Sequence, residues 1–439
     1  MSTLRNVFRT PELRNKILFT LAMIVLYRLG AQIPAPGTDL DAIESLREDF
    51  DQTSGGIFGY LNLLSGGGLA SLSFFALGIL PYITSSIIIQ ILTVAIPKLE
   101  QWQAEGATGQ RKITQWTRYI AILLALVQST GIVFLINRNP EGFFGVDIGL
   151  FPEGGFKVVL AVVCMTTGTA VLMWMGELIS QKGIGNGMSI LIFASVVSSL
   201  PSVGIQVQAL RGWVGVAIAV VLLIGLCAGI VFVEQGQRRI PVNFAKRVVG
   251  RRQYGGNNSY IPLKVNQAGV IPVIFASSLL SLPTLLTGVL PADGWGQDVR
   301  NFIDNNLFQP DNLGYILVFG LLIVGFAYFY NSIAFDPVRR ADDLRKSGGF
   351  IPGIRPGPQT ERHLAKILNR ITLPGALFLA VVALIPSAAL ARYVGGGTGS
   401  TNITAFSGVS ILIGVGVSLE TMKQIDSQLM SRNYEGFLK

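Results

Sequence analysis

The sequence predicts an all-α polytopic membrane protein, and three observations support that fold class. Half of its 439 residues are apolar and only 13% are charged, whereas soluble domains carry about 25% charged residues. The mean hydropathy is +0.53. Glycine contributes 51 residues, and glycine is enriched where helices pack closely within a membrane. The composition therefore excludes disordered, collagenous and disulfide-built chains.

Apolar stretches near the length of a membrane span, about 20 residues, recur ten times. An even number of spans places both termini on the same side of the membrane. The predicted spans cover roughly residues 17–34, 74–96, 116–136, 156–176, 184–203, 213–233, 267–290, 314–334, 371–392 and 405–424.

The basic residues indicate which side is cytoplasmic, because cytoplasmic loops are enriched in Lys and Arg. With the N-terminus inside, the inner segments hold 27 of the 34 Lys and Arg residues, and the outer segments hold six. Two inner loops are long and strongly basic, at about 235–266 and 335–370. We predict that both termini are cytoplasmic. For the outer stretch at about 291–312, we predict no role beyond an external connection between two spans.

The ten spans divide near residue 205 into two groups of five. An odd number of spans in each group makes the two halves face opposite ways, which is the pattern of an inverted repeat. We therefore predict an N-terminal half at 1–205 and a C-terminal half at 206–439.

One short apolar segment, Ile57 to Leu64, interrupts this pattern on the predicted outer side. Eight residues in a helix cover about 12 Å, less than half of the hydrocarbon core. Glycines flank the segment on both sides. It fits a re-entrant half-helix or an amphipathic helix on the membrane surface, and spacing alone favours neither.

Motifs for catalysis and cofactor binding are missing from the sequence. There is no G-x-x-x-x-G-K-[ST] and no H-E-x-x-H, and His363 is the only histidine. The glycine-rich Gly183–Gly187 does not follow a strand, so it is not a dinucleotide site. The spans also lack a clear ionisable residue near the midplane, where ion-coupled transporters usually have one. We expect no catalytic residue, metal or cofactor, and a pore lined by apolar or neutral groups.

Four strings of residues resemble the SecY family, the channel subunits of bacterial protein-export translocases. Each string lies in the order and position that the family shows, and the resemblance covers essentially the whole chain. The strings are Phe75–Gln90 at the second span, Gly183–Ser189 at the start of the fifth, Lys264–Ser278 at the seventh and Gly353–Gly357 in the last large cytoplasmic loop.

The resemblance implies ten spans in two inverted halves, hinged between spans five and six. The halves enclose an hourglass pore with a lateral gate toward lipid. It also implies that the glycine-flanked segment is the family's plug, at about 57–68, which favours the re-entrant reading. The implied plug residues are Ile57, Phe58, Gly59, Tyr60, Leu61, Asn62, Leu63 and Leu64.

Two further sets of residues match family positions in the membrane. An apolar ring blocks ions by dewetting, and Met is apolar enough to replace one Ile there. The pore ring would contain Ile79, Ile83, Met188, Ile192, Ile274 and Ile413. The lateral gate, between spans two and three and spans seven and eight, would contain Thr84, Ile87, Gln90, Ser278, Leu282 and Pro283.

Arg251, Arg252 and Arg355 match family positions that contact the ribosome or the motor ATPase SecA. Ribosomal RNA would be met through its phosphates, although many of the basic residues only set topology. The family further implies the subunits SecE and SecG, signal-bearing preproteins, surrounding lipid and location in the bacterial plasma membrane.

The function that follows is a passive protein-conducting channel driven by SecA or the ribosome. It would pass unfolded preproteins across the membrane and release transmembrane segments sideways into lipid. The alternative from the residues alone is a small-molecule secondary transporter, because inverted repeats and a broken segment also suit that class.

Overall fold

The structure is a computed structural model, and it describes most of the chain. The described residues are 11–39, 43, 62, 64–138, 155–244, 247–249, 252–254, 259–287, 296–298, 312–394 and 408–435. Backbone alone is described at 135–138, 202–203, 206, 210–211, 247–249, 252–254, 281–287, 387–394 and 431–435.

Eleven named helices and five short strands occur in this part of the chain. The helices are α1 (Pro11–Gly30), α2 (Leu80–Ala95), α3 (Pro97–Ala104), α4 (Ala107–Arg138), α5 (Gly155–Lys182), α6 (Gly187–Gln235), α7 (Ile271–Thr287), α8 (Leu313–Ala334), α9 (Pro337–Lys346), α10 (Pro358–Val394) and α11 (Gly408–Glu435). The strands are β1 (Gln237–Phe244), β2 (Arg247–Val249), β3 (Arg252–Tyr254), β4 (Ser259–Lys264) and β5 (Gly349–Phe350).

Each predicted span overlaps a helix or half of one, and α6 contains the fifth and sixth spans together. Within the described residues, five helical stretches are long and apolar enough to cross a membrane unaided, or six if the bent pair α2–α3 is one span. The total of ten spans remains a prediction. The five stretches are Ala107–Phe134, Gly155–Lys182, Gly212–Gln235, Leu313–Lys346 and Pro358–Pro386.

Helix α6 is broken at Gly212, where φ is 66° and ψ is −165°. Only glycine adopts such a conformation without strain, so the sequence places the break there. The predicted boundary between halves, near residue 205, lies within helical backbone seven residues before this break. The division into halves itself remains a prediction.

Two prolines set the ends of α2. Pro81 lies in the first turn, where its missing N–H costs nothing. Pro97 forces the preceding Ile96 into extended backbone, with φ −109° and ψ 112°. As a result the chain bends by 101° between α2 and α3.

The predicted start of the second span at residue 74 is wrong, because α2 begins only at Leu80. Residues 65–79 form a series of turns instead. The backbone N–H of Phe74 donates to the Ile33 carbonyl oxygen at 2.9 Å, and the N–H of Ala35 donates to the Leu72 carbonyl oxygen at 2.9 Å. These bonds hold the turns against the chain that follows α1, and the apolarity of the segment did not reveal them.

The largest buried cluster, hereafter the main core, collects apolar side chains from α1, α5, α6, α7, α8, α10 and α11. Leu172 of α5 and Ile323 of α8 are fully buried within it. Helices α6 and α11 pack along each other through this core. A second cluster joins α4 and α5 to the turns at 69–77.

The two long basic loops meet in one small layer, which the sequence did not predict. Strand β1 pairs antiparallel with β4 in the first loop and with β5 in the second. A separate core beneath this sheet includes Ile240, Leu263 and Leu364. The alternation of buried and exposed residues in β1 covers only a few positions. The prolines, glycines and charged residues of this segment are more typical of a loop, so the sequence did not indicate a strand there.

Candidate functional site

The six residues of the predicted pore ring all lie in or against the main core. Ile79, Ile192, Ile274 and Ile413 are between 1% and 8% exposed. Ile83 and Met188 are partly buried and pack against the same cluster. The structure therefore brings together side chains from four distant parts of the sequence, the starts of α2, α6, α7 and α11.

Local structure fixes where several of these side chains lie. Ile79 is the residue before α2, and its carbonyl oxygen accepts the N–H groups of Tyr82 and Ile83 at 3.1 Å each. Asn186 caps α6 by accepting the Met188 N–H on its side-chain oxygen at 3.2 Å, a common use of asparagine. A Cβ on Gly176 of α5 would lie 2.5 Å from the Met188 sulfur. Glycine at 176 therefore leaves the space that the thioether occupies.

The predicted lateral gate lies where α2 approaches α7, and these two helices are in contact. Thr84, Ile87 and Gln90 follow each other at intervals of three along α2, so they share one face. All three are half-buried, as is Ser278 on α7. Leu282 and Pro283 lie further along the helical backbone of α7, where side chains are outside the described part of the structure.

The spans that the resemblance assigns to opposite sides of the gate are in direct contact, because α2 packs against α7.

Most of the predicted plug falls outside the described residues, namely Ile57, Phe58, Gly59, Tyr60, Leu61 and Leu63. The two that are described, Asn62 and Leu64, end the segment. Leu64 is buried in the main core. The Asn62 carbonyl oxygen accepts the Gly67 N–H at 2.8 Å, and its side-chain oxygen accepts the Ala70 N–H at 3.0 Å.

Three side chains that sequence reasoning left without a role hold the turn after this segment. Tyr27 of α1 donates its hydroxyl to the Ser65 carbonyl oxygen at 3.1 Å and lies 2.6 Å from Ser195 Oγ of α6. Arg28 Nη1 donates to the Gly66 carbonyl oxygen at 2.8 Å. The one available signal was Arg28 itself, since an arginine in a membrane span usually has a specific partner.

Two of the three predicted partner-binding arginines lie in the described parts of the two long basic loops. Arg355 is exposed in a turn flanked by Gly353 and Gly357, both with positive φ. Arg252 lies in β3, where only backbone is described, and Arg251 falls outside the described residues. In the small sheet layer, the Arg239 guanidinium stacks 4.8 Å from the Tyr260 ring centre, a favourable cation–π contact.

Charged groups at the predicted cytoplasmic ends of the spans have polar partners. Arg118 of α4 binds Glu177 of α5 through two parallel bonds, Nε to Oε1 and Nη2 to Oε2, at 2.6 Å each. Glu234 at the end of α6 accepts from the Asn266 side chain at 2.6 Å. Across the part of the chain that the structure describes, no group of three or more His, Cys, Asp and Glu residues is placed to hold a metal ion.

The fold and this site define a class: a polytopic helical membrane protein whose helices converge on an apolar core. Comparison with known proteins gives the family. The SecY family model matches residues 73–422. The chain is 48% identical over 445 residues to the protein translocase subunit SecY of Corynebacterium glutamicum. It is 50% identical over 448 residues to that of Streptomyces galbus, and both alignments cover 100% of both chains. The chain belongs to the SecY family.

Solved structures show the same fold at low sequence identity. The chain matches a structure described as a protein conducting channel with a TM-score of 0.64 and 19% identity, covering 95% of this chain and 93% of the other. It also matches Sec61 from a canine ribosome–channel complex of the endoplasmic reticulum, with a TM-score of 0.60, 18% identity and the same coverage. The all-α membrane fold predicted from the sequence is confirmed by these matches.

Proposed function

We infer that this chain is the protein-conducting channel of a bacterial Sec translocase. The observation that carries the inference is full-length similarity to protein translocase subunits together with the gathering of six ring residues in one apolar core. An apolar constriction excludes water and ions. It also offers no hydrogen bonds that would retain a passing polypeptide. The alternative of a small-molecule transporter receives no support from these relatives.

The finer assignments are part of the same proposal. Residues 57–64 would plug the pore, and the contact between α2 and α7 would open as a lateral gate. A signal helix that enters lipid gains roughly 25 cal/mol per Å² of apolar surface buried. That gain is available only if the channel opens sideways. The chain also matches a SecY structure whose description says that the plug domain stabilises the closed state of that channel, with a TM-score of 0.59 and 18% identity, and this likeness supports the assignment of a plug.

The proposed partners follow from the family and from charge. SecE and SecG would complete the membrane complex, and SecA or the ribosome would supply energy, since the chain carries no nucleotide-binding motif. The exposed Arg355 and the basic sheet layer suit phosphate or acidic surfaces. The excess of 27 inner over six outer basic residues favours cytoplasmic termini in the plasma membrane.

Reconstitution tests the proposed function. The purified chain, a SecE-like partner and SecA are incorporated into liposomes, and a signal-bearing preprotein is added with ATP. We expect the preprotein to become protected from external protease only when ATP is present. Saturable uptake of a small solute by the chain, without any preprotein protection, would contradict the proposal.

A further inference from the structure

A short segment, residues 265–270, connects β4 to α7 and contains a buried asparagine. This residue, Asn266, is 4% exposed. A buried amide is costly unless its polar atoms are hydrogen-bonded. Here the Asn266 Nδ2 atom donates to Glu234 Oε1 at 2.6 Å and to the Gly269 carbonyl oxygen at 3.0 Å. One amide therefore joins the end of α6 to the turn that precedes α7.

Close backbone contacts hold the same segment against α6 and α10. The Val265 N–H donates to the Gly236 carbonyl oxygen at 3.0 Å, directly after the end of α6. A Cβ on Gly375 of α10 would lie 2.4 Å from the Val265 carbonyl oxygen, so glycine at 375 lets α10 approach the segment. Glu234 itself is half-buried in the last turn of α6. The donor and the acceptor of the Glu234–Asn266 bond are therefore both fixed by neighbouring backbone.

The turn that precedes α7 connects this pair to Ile274, a residue of the predicted ring. Gly269 has a φ of 61°, which glycine adopts readily, and its carbonyl oxygen is the second acceptor of the Asn266 amide. The carbonyl oxygen of the next residue, Val270, accepts the N–H groups of Val273 at 3.1 Å and of Ile274 at 3.3 Å. Ile274 is 8% exposed and lies in the main core. Because its N–H belongs to the first turn of α7, its position follows from where that turn begins.

The start of α7 also packs against α11. A Cβ on Gly416 of α11 would lie 2.9 Å from Val270 Cγ2, so glycine at 416 leaves room for this side chain. Ile413, another predicted ring residue, lies three residues earlier on α11 and is 1% exposed in the same core. A shift of the first turn of α7 would therefore change the packing between the helices that carry Ile274 and Ile413.

We propose that Glu234 and Asn266 are positioning residues that fix the start of α7 and so hold Ile274 in the predicted ring. The inference rests on the proposed function, since it assumes that the ring seals the channel against ions. The pair acts through the backbone of Gly269 and Val270, so its loss lets the first turn of α7 shift while every apolar side chain of the ring is retained. A contribution to stability alone would leave the seal intact.

Chloride efflux through the idle channel measures this positioning. The complex with its partner subunits is reconstituted in liposomes loaded with chloride, and efflux is followed without preprotein. A hydrogen bond to a charged group is worth about tenfold or more in an equilibrium. Asn266→Ala removes that bond and the bond to the Gly269 carbonyl oxygen, so we expect efflux to rise about tenfold or more. Efflux at the wild-type rate, in a complex that translocates preprotein, would overturn the inference.

Asn331→Ala is the matched control for the loss of a buried asparagine. Asn331 of α8 is 5% exposed, and its Nδ2 atom donates to Thr372 Oγ1 of α10 at 2.9 Å. Neither α8 nor α10 carries a residue of the predicted ring. We expect Asn331→Ala to lower the thermal unfolding temperature as Asn266→Ala does, with efflux unchanged. Equal efflux from the two variants would show that the leak reports general destabilisation, and it would overturn the inference.

Exchanging the two polar groups tests whether the pair itself positions α7. Asn266→Asp places a second carboxylate beside Glu234, and two carboxylates at hydrogen-bond distance repel each other. Adding Glu234→Gln to Asn266→Asp restores one amide and one carboxylate with their places exchanged. We expect less efflux from the double variant than from Asn266→Asp alone, and more than from wild type because the new carboxylate cannot donate to the Gly269 carbonyl oxygen. Equal efflux from the single and the double variant would contradict the role of Glu234.

The outcomes separate this inference from the proposed function. If wild-type vesicles translocate preprotein and Asn266→Ala leaks no more than Asn331→Ala, the positioning role is wrong and the channel stands. If wild-type vesicles fail to translocate, the proposed function itself fails. Should Asn266→Ala not assemble with its partners, Glu234→Ala, which removes only one of the two bonds, replaces it. Higher efflux from Glu234→Ala than from Asn331→Ala would then support the inference, and equal efflux would overturn it.

Discussion

At the scale of single residues, four charged groups near the ends of the spans have specific polar partners. Arg28 donates to the Gly66 carbonyl oxygen, and Glu234 accepts from the Asn266 side chain. Arg118 and Glu177 form a two-bond pair between α4 and α5. Such pairing is expected where water is scarce, because an uncompensated charge in a bilayer costs several kcal/mol.

The Arg118–Glu177 pair should therefore contribute measurably to stability. Glu177→Gln leaves one neutral amide in place of a carboxylate, and we expect it to lower the free energy of unfolding by about 1 kcal/mol. The Arg118 side chain is 41% exposed, which keeps the effect modest. Thermal unfolding in detergent measures it.

Glu105→Gln is the matched control for this prediction. Glu105 pairs with Lys112 at 3.1 Å, and both side chains are more than 40% exposed. Exposed pairs contribute little, so the control should unfold close to wild type. An equal loss of unfolding free energy in Glu177→Gln and Glu105→Gln would contradict the prediction that the more buried Arg118–Glu177 pair contributes more than the exposed Lys112–Glu105 pair.

A single ring residue tests the apolar seal. Ile192→Asn places an amide in the main core at a position that is 6% exposed, and we expect several-fold faster ion efflux from idle channels because a polar group promotes wetting. Ile192→Leu keeps the position apolar and should leak like wild type. Identical efflux from the two variants would mean that polarity at this position does not control the seal.

At the scale of elements, the sequence predicted helices well and their interruptions poorly. Each predicted span overlaps a helix or half of one, because burial in lipid needs a long apolar run, yet α2 starts six residues later than the predicted span. The hydrogen bond from the Phe74 N–H to the Ile33 carbonyl oxygen joins segments 41 residues apart, and no local pattern reports it. The sheet layer was missed for the same reason, since β1 and β5 lie more than 100 residues apart.

The break in α6 depends on glycine at position 212. Gly212→Ala should lower the free energy of unfolding by about 1–3 kcal/mol, because an L residue at φ 66° and ψ −165° is strained. Open space surrounds Gly212, so the cost is conformational and not steric. Thermal unfolding of the purified complex measures it.

Gly225→Ala in the same helix is the control. Gly225 also faces open space but has ordinary helical backbone. Alanine there should be neutral or slightly stabilising, by up to about 1 kcal/mol. A larger loss at 225 than at 212 would contradict the account of the break.

The sheet layer should depend on its own small core. Leu263 of β4 is fully buried there, and Leu263→Ala should cost about 2–5 kcal/mol locally. We expect faster cleavage of residues 235–266 by added protease. Lys264→Ala, an exposed neighbour on the same strand, should leave the rate unchanged. Equal rates would show that the two loops do not depend on a shared core.

At the scale of the whole molecule, the proposed function requires polypeptides to pass between the residues of the predicted ring. All six residues that the resemblance assigns to the ring lie in or against one apolar core, so a passing chain would have to part these side chains.

Cross-linking of a stalled preprotein shows whether the polypeptide passes the ring residues. A preprotein with a cysteine in its middle is arrested during translocation, and disulfide formation is compared for Ile192→Cys and Val221→Cys, both on α6. Val221 is 70% exposed and faces away from the core. We predict a cross-link at position 192 and none at 221. Cross-linking at 221 alone, or at neither position while translocation proceeds, would contradict a path through the ring.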